Sequence, residues 1–180
     1  MTKQIEVPGY VTGTWAIDPS HSDVSFTIRH LGVSKVRGRF DTFEGEIVTA
    51  EDPLQSSVSV TIQAASVNTN NQMRDDAVRG GDFLDVEKYP TLSFRSTGLR
   101  ATDDGFEADG ELTVHGVTRE VVLRLEPNGF AEGWNGAKVA GFSATTEISR
   151  NQFEVTGGAC AGQHRVRQDL RPARRRAGGR

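Results

Sequence analysis

Residues 15–40 read WAIDPSHSDVSFTIRHLGVSKVRGRF, and this stretch decides the fold. Between residues 24 and 30, apolar and polar side chains alternate, so that one face carries Val24, Phe26, Ile28 and His30. Alternation with a period of two is typical of a strand that buries one face in an antiparallel sheet. The polar run at 18–23 contains proline, serine and aspartate, which favour a turn. The stretch therefore predicts a corner followed by an amphipathic strand, whose apolar face fills a core or lines a cavity.

The same alternation recurs along the rest of the chain. It predicts further strands at residues 14–17, 36–50, 58–64, 91–96, 106–114, 117–126 and 138–148. The period changes once, at residues 70–81, where a polar start, Met73 and Ala77 four apart and a double glycine indicate a short helix. Residues 82–90 add a turn that a proline ends. Amphipathic strands with one helical insertion around residues 70–88 predict an all-β fold in the main, either an antiparallel barrel or a sandwich.

Length and charge limit the classes of protein that fit. A chain of 180 residues is expected to form one domain, and its single cysteine, Cys160, cannot make an internal disulfide. Because the N-terminus has no apolar signal region and no apolar run approaches the ~20 residues of a membrane span, we expect a soluble cytoplasmic protein without a transmembrane segment. Residues 159–180 hold seven arginines and one aspartate, whereas the rest of the chain has a net charge of −9. This acidic body argues against nucleic acid as a partner.

Common catalytic signatures are absent from the sequence, which has no phosphate-binding loop, dinucleotide fingerprint or nucleophile elbow. His21 and His30, with Asp18, are the strongest candidates for a metal or acid–base site, because imidazole and carboxylate suit both chemistries. Their spacing is not diagnostic, and hydrogen bonding at a corner or a barrel rim explains the same residues. Arg29 offers a guanidinium to an anionic head group, but a solvated strand face is the preferred explanation of this residue taken alone. We therefore expect no enzymatic activity and no required cofactor or metal.

Several runs resemble one known family in the same order. The first is Trp15-x-Ile17-Asp18-x-x-His21-Ser22, which continues through the alternating strand to Gly38-x-Phe40. The later runs are VNT at 67–69 before Arg74-Asp75, DFLDVEKYP at 82–90, GELTVHGVTR at 110–119 and ISRNQF at 148–153. Together they resemble the YceI-like polyisoprenoid-binding proteins over residues 14–153. The resemblance implies a lipocalin-like antiparallel β-barrel of about eight strands, whose elongated apolar cavity holds a polyisoprenoid or a similar amphipathic lipid.

The function predicted from this resemblance is non-enzymatic carriage or sequestration of such a lipid, which includes isoprenoid quinones. Alternation selects the residues expected to line the cavity, which are Phe26, Ile28, Phe40, Phe94, Leu112 and Phe142. The polar contacts expected near an opening are His21, Arg29 and His30. Two alternatives stay open: an enzyme or metal protein that acts on a lipid-like substrate through His21, His30 and Asp18, and a stress-related binding module without a stored ligand. A homodimer is also left open.

The end of the chain departs from the family pattern. Relatives end in an alternating strand that closes the barrel, whereas residues 161–172 here have only Val166 and Leu170 as clear apolar positions before Pro172. We therefore divide the chain into a lead-in at 1–13, a YceI-like barrel domain at 14–158 and an atypical arginine-rich tail at 159–180. Whether the tail closes the barrel, is disordered or is a frame-shifted end stays open, as does peripheral contact with an anionic membrane through its arginines.

Overall fold

The computed structural model describes residues 6–30, 32–155, 164–168 and 173–175. Within these residues, one short helix accompanies twelve strands. The helix α1 is Gln72–Arg79, and three 3₁₀ turns lie at Pro53–Gln55, Ala64–Ser66 and Arg150–Phe153. The strands are β1 Gly13–Ile17, β2 Val24–His30, β3 Ser34–Phe40, β4 Phe43–Thr49, β5 Ser57–Gln63, β6 Val67–Asn68, β7 Thr91–Thr102, β8 Gly105–Val114, β9 Val117–Glu132, β10 Lys138–Ile148, β11 His164–Gln168 and β12 Ala173–Arg175.

All the strand pairs are antiparallel and belong to one sheet. Its order is β12-β1-β4-β5-β7-β8-β9-β10-β11-β2-β3-β6, and β12 pairs a second time with β10. The first eight strands in this order, from β12 to β10, therefore form a closed ring, because β10 is hydrogen-bonded to β12. The predicted barrel with one short helix is confirmed, and the sandwich that the sequence left open is not the fold.

The stretch from Trp15 to Phe40 supplies β1, the corner, β2 and β3. Trp15 is fully buried and Val24 is 1% exposed, whereas Arg29 on the opposite face of β2 is exposed. The indole Nε1 of Trp15 donates to Thr49 Oγ1 at 2.8 Å, and that hydroxyl in turn donates to the carbonyl of Val11 at 2.7 Å. A buried indole needs such a partner. The predicted corner and the inward face of this strand are confirmed.

The helix has the capping that its sequence indicates. The side chain of Asn71 accepts from the backbone N–H of Arg74 at 2.9 Å, and Gly80 follows the last residue of the helix. Capping by asparagine satisfies one of the free N–H groups at a helix start. After the helix, the backbone N–H of Tyr89 donates to the carbonyl of Asp85 at 2.8 Å, which makes the single turn expected before Pro90.

The strand predicted over residues 36–50 is in fact two strands with different partners. β3 pairs with β2 and β6, whereas β4 pairs with β1 and β5. The chain changes partners at Asp41, whose carboxylate accepts from Arg39 Nε at 2.7 Å and from Asn68 Nδ2 at 2.9 Å. The buried positions change from even numbers in β3, such as Phe40, to odd numbers in β4, such as Phe43 and Ile47. This shift of phase was the sequence signal of the switch.

The strand predicted to end at Glu126 continues to Glu132 as β9. The register shifts at Gly141 and Phe142 of β10, so Asn128 stands without an opposed residue in a β-bulge. Its Nδ2 donates to Ser143 Oγ at 2.9 Å instead. The predicted end of this strand at residue 126 is therefore wrong, because the turn-forming residues Pro127, Asn128 and Gly129 bend the strand at a bulge without ending it.

Strand pairing continues beyond residue 158, where the sequence placed the tail. β11 pairs with β10 and β2, and β12 pairs with β10 and β1. β12 joins β1 to β10 and so completes the ring, and β11 joins β2 to the same edge of β10. The described residues do not include 156–163, which contain Cys160, 169–172 or 176–180.

Candidate functional site

An apolar cavity opens at the end of the barrel where β4 and β7 finish and β5 and β8 begin. Its volume is about 80 Å³, or about 760 Å³ when all space between the lining atoms out to the open mouth is counted. Most of the lining side chains are aliphatic or aromatic. The lining residues are Val7, Tyr10, Ile47, Thr49, Pro53, Ser56, Ser57, Val58, Val60, Phe94, Leu99, Phe106, Leu123, Leu125, Pro127, Phe130, Phe142 and Ala144.

The cavity exists because inward-facing side chains alternate along every strand around it. Val58 and Val60 of β5, Phe94 of β7 and Phe106 of β8 are all buried. The ring of Phe94 lies over Gly110 of the neighbouring strand, where a Cβ would come within 2.4 Å of the ring. The missing side chain at position 110 therefore makes the space that the ring of Phe94 occupies.

An aromatic cluster centred on Phe130 forms one wall of the mouth. Its ring makes edge-on contacts with Tyr10 at 5.4 Å, Trp15 at 5.7 Å and Phe142 at 5.8 Å between centroids. Such edge-on geometry is the favoured arrangement of aromatic pairs. A second, more open cavity of about 200 Å³ is also lined by Phe130, together with Gly9, Val11, Trp15, Ala131, Glu132, Lys138 and Val139. Phe130 therefore contributes to the lining of both cavities.

The polar groups of the main cavity lie at its mouth. The hydroxyl of Tyr10 donates to the carbonyl of Ala50 at 2.6 Å and lies 3.1 Å from Ser56 Oγ. Ser56 Oγ also accepts from the backbone N–H of Ala50 at 3.0 Å. These bonds hold the N-terminal segment across the rim. The mouth thus offers hydroxyl groups to a polar head, while the interior offers only apolar surface.

The residues predicted to line the cavity divide into two groups. Phe94 and Phe142 do line it, whereas Phe26, Ile28, Phe40 and Leu112 are not among its lining residues. Phe26 and Phe40 contact each other at 5.5 Å between ring centroids, further along the barrel axis. Ile28 is half-buried, and Leu112 is half-buried opposite Phe94 in the β7–β8 pairing. Phe26, Phe40 and Leu112 belong to the same continuous core as the cavity walls.

The predicted polar contacts do not lie at this mouth. His21 is exposed at the corner, where its Nδ1 is 3.1 Å from Asp18 Oδ2, and Arg29 is exposed on β2. His30 is at the end of β2, and its side chain lies outside the described part of the structure. Of the three residues in the enzyme or metal alternative, the structure thus brings Asp18 and His21 together. In the described part of the chain, no three histidine, cysteine, aspartate or glutamate side chains are grouped so as to hold a metal ion.

A polar cluster at helix α1 explains another of the sequence runs. Asp75 is buried and accepts from the backbone N–H of Thr69 at 2.8 Å and from its hydroxyl at 2.6 Å. The hydrogen bond from the Thr69 hydroxyl holds the pKa of the Asp75 carboxyl below its ordinary value. Arg74 donates to the carbonyl of Thr69 at 2.9 Å, and Arg79 donates to that of Val67 at 3.0 Å. These residues fasten the helix to β6 and lie outside the cavity lining.

The sequence missed Val7, Tyr10 and Phe130 as site residues. Val7 and Tyr10 precede the first strand in what was assigned as a lead-in, and Phe130 follows the turn-forming residues at which β9 was expected to stop. In the sequence Phe130 is out of phase with Leu123 and Leu125, and the bulge at Asn128 brings it to the same face. In the described part of the chain, no helix is long and apolar enough to cross a membrane.

Comparison with known proteins agrees with this architecture. The sequence matches the family described as the YceI-like domain over residues 15–171. A UPF0312 protein of Ectopseudomonas mendocina is 40% identical over 147 residues, which cover 79% of this chain and 76% of that protein. The crystal structure of the Campylobacter jejuni YCEI protein has a TM-score of 0.71 at 30% identity, covering 89% of this chain and 97% of that chain. A polyisoprenoid binding domain from Saccharophagus degradans has a TM-score of 0.68 at 13% identity, covering 91% and 99%, and shows the shared fold alone.

Proposed function

The chain belongs to the YceI-like domain family, and on that premise we propose that it binds and carries a long-chain amphipathic lipid of the polyisoprenoid class without catalysing a reaction. The observation that carries the proposal is the apolar cavity with hydroxyl groups at its mouth. This division matches a molecule with one polar end and a long hydrocarbon chain. The polyisoprenoid binding domain from Saccharophagus degradans supports the choice of ligand class, because its fold is the same.

The driving force in this proposal is burial of hydrocarbon. Each Å² of apolar surface removed from water contributes about 25 cal/mol, and few polar contacts are needed to orient a head group. The hydroxyls of Tyr10 and Ser56 would meet the head group at the rim, and Phe94, Leu99 and Phe142 would contact the chain. Affinity would therefore depend more on chain length than on the identity of the head group, so isoprenoid quinones fall within the class.

The size of the cavity adds a condition to this proposal. Ligand pockets usually have volumes of about 300–1,000 Å³, whereas the volume here is about 80 Å³ without the open mouth. A long chain therefore enters only if lining side chains move outward. The Phe26–Phe40 pair lies next along the barrel axis, and a longer chain would displace these two rings. In the proposed complex, the far end of a long lipid chain would therefore contact Phe26, Ile28 and Phe40.

The test begins with the purified protein. Native mass spectrometry followed by organic extraction should find a prenyl lipid that copurifies with the protein, or uptake of added prenyl alcohols and quinones. The discriminating variant is Leu99→Glu, which places a charge in the cavity lining. Val122→Glu is the matched control, because Val122 is an exposed apolar residue of β9 and is not among the lining residues.

We expect Leu99→Glu to lose most of the lipid and Val122→Glu to retain it. Both variants must show the wild-type β-sheet content by circular dichroism. A wild-type protein that carries no lipid and refuses every added prenyl lipid would refute the proposal. Equal retention by the two variants would also refute it, because the lipid would then lie outside this cavity.

A further inference from the structure

The β9–β10 hairpin carries a tryptophan that the barrel does not use. Trp134 is 100% exposed at the tip of this hairpin, whereas Trp15, the other tryptophan of the chain, is fully buried. The turn is ordered by hydrogen bonds from Gly133 N–H to the carbonyl of Ala137 at 2.7 Å and from Gly136 N–H to that of Gly133 at 2.9 Å. Tryptophan is enriched at interfaces where one end of the ring is apolar and the other is hydrated, and a fully exposed indole on an ordered turn fits such a contact.

The hairpin rises from the rim of the cavity. β8 begins at Gly105, and its residue Phe106 pairs with Leu125, so the rest of β9 extends past the neighbouring strand. That extension passes Pro127 and Phe130, which both line the cavity, before it reaches the turn. Trp134 lies four positions after Phe130 along the chain, which spans at most about 13 Å. The indole therefore stands just beyond the mouth, at the same end of the barrel.

The charges around the mouth are uneven. At the base of the hairpin Lys138 stands directly opposite Glu132, so the hairpin beyond Phe130 carries no net charge. At the same end of the barrel, the β4–β5 connection carries Glu51 and Asp52, and the β7–β8 turn carries Asp103 and Asp104. A negatively charged surface is therefore repelled less by the β9–β10 hairpin than by these two connections.

We propose that the β9–β10 hairpin is a membrane-docking element, which inserts Trp134 into the interface of a phospholipid bilayer and so brings the cavity mouth to the lipid. Tryptophan favours the boundary between head groups and acyl chains, because its ring is largely apolar while its N–H stays hydrated. The occupant is a bilayer and not a folded partner, since the cavity ligand of the proposed function resides in bilayers. The inference rests on that proposed function for its purpose, but docking itself is measured separately.

The two tryptophans provide a built-in measurement. Wild-type protein is titrated with phosphatidylcholine vesicles and with vesicles that also contain phosphatidylglycerol, and tryptophan emission is recorded. Insertion of Trp134 shifts its emission to shorter wavelength, whereas the contribution of the buried Trp15, read from Trp134→Ala, stays constant. Vesicle sedimentation of Trp134→Ala should show at least about a tenfold loss of affinity, as expected for removal of one large aromatic anchor.

The matched control uses the opposite end of the barrel. Val33 is 87% exposed in the β2–β3 turn, and β2 pairs with β11 while β1 pairs with β12, so this turn is remote from the mouth. Val33→Ala should bind vesicles like the wild type. The double variant Trp134→Ala/Val33→Trp restores an exposed indole at the wrong end. Transfer of a prenyl quinone from donor vesicles into the protein should therefore stay as slow in this double variant as in Trp134→Ala.

The outcomes separate this inference from the proposed function. Binding of a prenyl alcohol added from dilute detergent should be unchanged in Trp134→Ala, because Trp134 is outside the cavity lining. Docking without uptake of any prenyl lipid would remove the proposed function and leave the docking element. Docking is refuted if neither vesicle shifts the wild-type emission or if Trp134→Ala binds both vesicles as well as the wild type. Full recovery of quinone transfer by the double variant would refute the role of position at the mouth.

Discussion

Phe130 is the residue whose removal should change the site most, and Phe130→Ala tests that reasoning. The ring is half-buried and makes three edge-on aromatic contacts, with Tyr10, Trp15 and Phe142. Partial burial of a phenylalanine contributes about 1.5 kcal/mol, and each aromatic pair adds about 0.5–1.5 kcal/mol. We expect Phe130→Ala to lower the free energy of unfolding by about 3 kcal/mol. With a urea slope of about 3 kcal/mol per M, the midpoint falls by about 1 M.

The same change should alter what the cavity holds. Phe130 lines both the main cavity and the second cavity of about 200 Å³, so we expect removal of its ring to join the two spaces. The assay is competition among prenyl alcohols of increasing length, and the preference should move toward longer chains. Phe130→Leu is the control, because it keeps most of the apolar bulk and should leave the length preference unchanged. An identical length profile for Phe130→Ala and the wild type would refute the assignment of Phe130 as the divider.

Three further changes test the packing around the site. Gly110→Ala should cost about 1–3 kcal/mol in urea unfolding, because its Cβ would stand 2.6 Å from the carbonyl of Arg95, whereas Gly98→Ala has open space and should be neutral or slightly stabilising. Thr49→Val removes the acceptor of the buried Trp15 indole and should lower the free energy of unfolding by about 1–3 kcal/mol. The control Thr146→Val loses an exposed hydrogen bond and should lower it less. Equal losses would contradict the role given to Thr49. Thr69 lowers the folded-state pKa of Asp75, so the stabilisation by the Asp75 carboxylate is present above the ordinary pKa of 3.8 and is lost as pH falls through the lower folded pKa. Asp75→Asn should therefore flatten this part of an acid-unfolding curve. Unchanged acid sensitivity of this variant would contradict the role given to Asp75.

Local alternation predicted which side chains face inward. In β8 the predicted inward set includes Phe106 and Ala108, which are both buried, and in β10 it includes Ala140 and Ala144, which are buried as well. Each of these residues obeys the period of two that a half-buried strand imposes. The helix was equally readable, because Asn71 and Gly80 mark its two ends in the sequence. The barrel followed from these local signals together with the family resemblance.

The height of a residue along the barrel axis could not be read in the same way. Phe26 and Phe94 both face inward, but only Phe94 lines the cavity. Their heights are fixed by pairing between strands that are distant in sequence, such as Phe26 opposite Gly38 and Phe94 opposite Val60. Alternation is unchanged by a shift of two residues in such a pairing, although the shift moves every side chain along the axis. Alternation therefore selects the face on which a side chain lies, whereas pairing between distant strands decides its height along the barrel.

The glycines explain why the cavity lies at one end and not along the whole axis. At Gly38 a Cβ would come within 2.3 Å of the Phe26 ring. The ring of Phe26 thus occupies the space that a side chain at position 38 would need, and it contacts Phe40 as well. Two phenylalanines fill the barrel at that height, whereas Val58, Val60 and Ala144 leave room at the other. Phe26 and Phe40, which both belong to the stretch at 15–40, therefore fill one end of the barrel. The open end is formed by later strands and by Phe130, below the hairpin that carries Trp134.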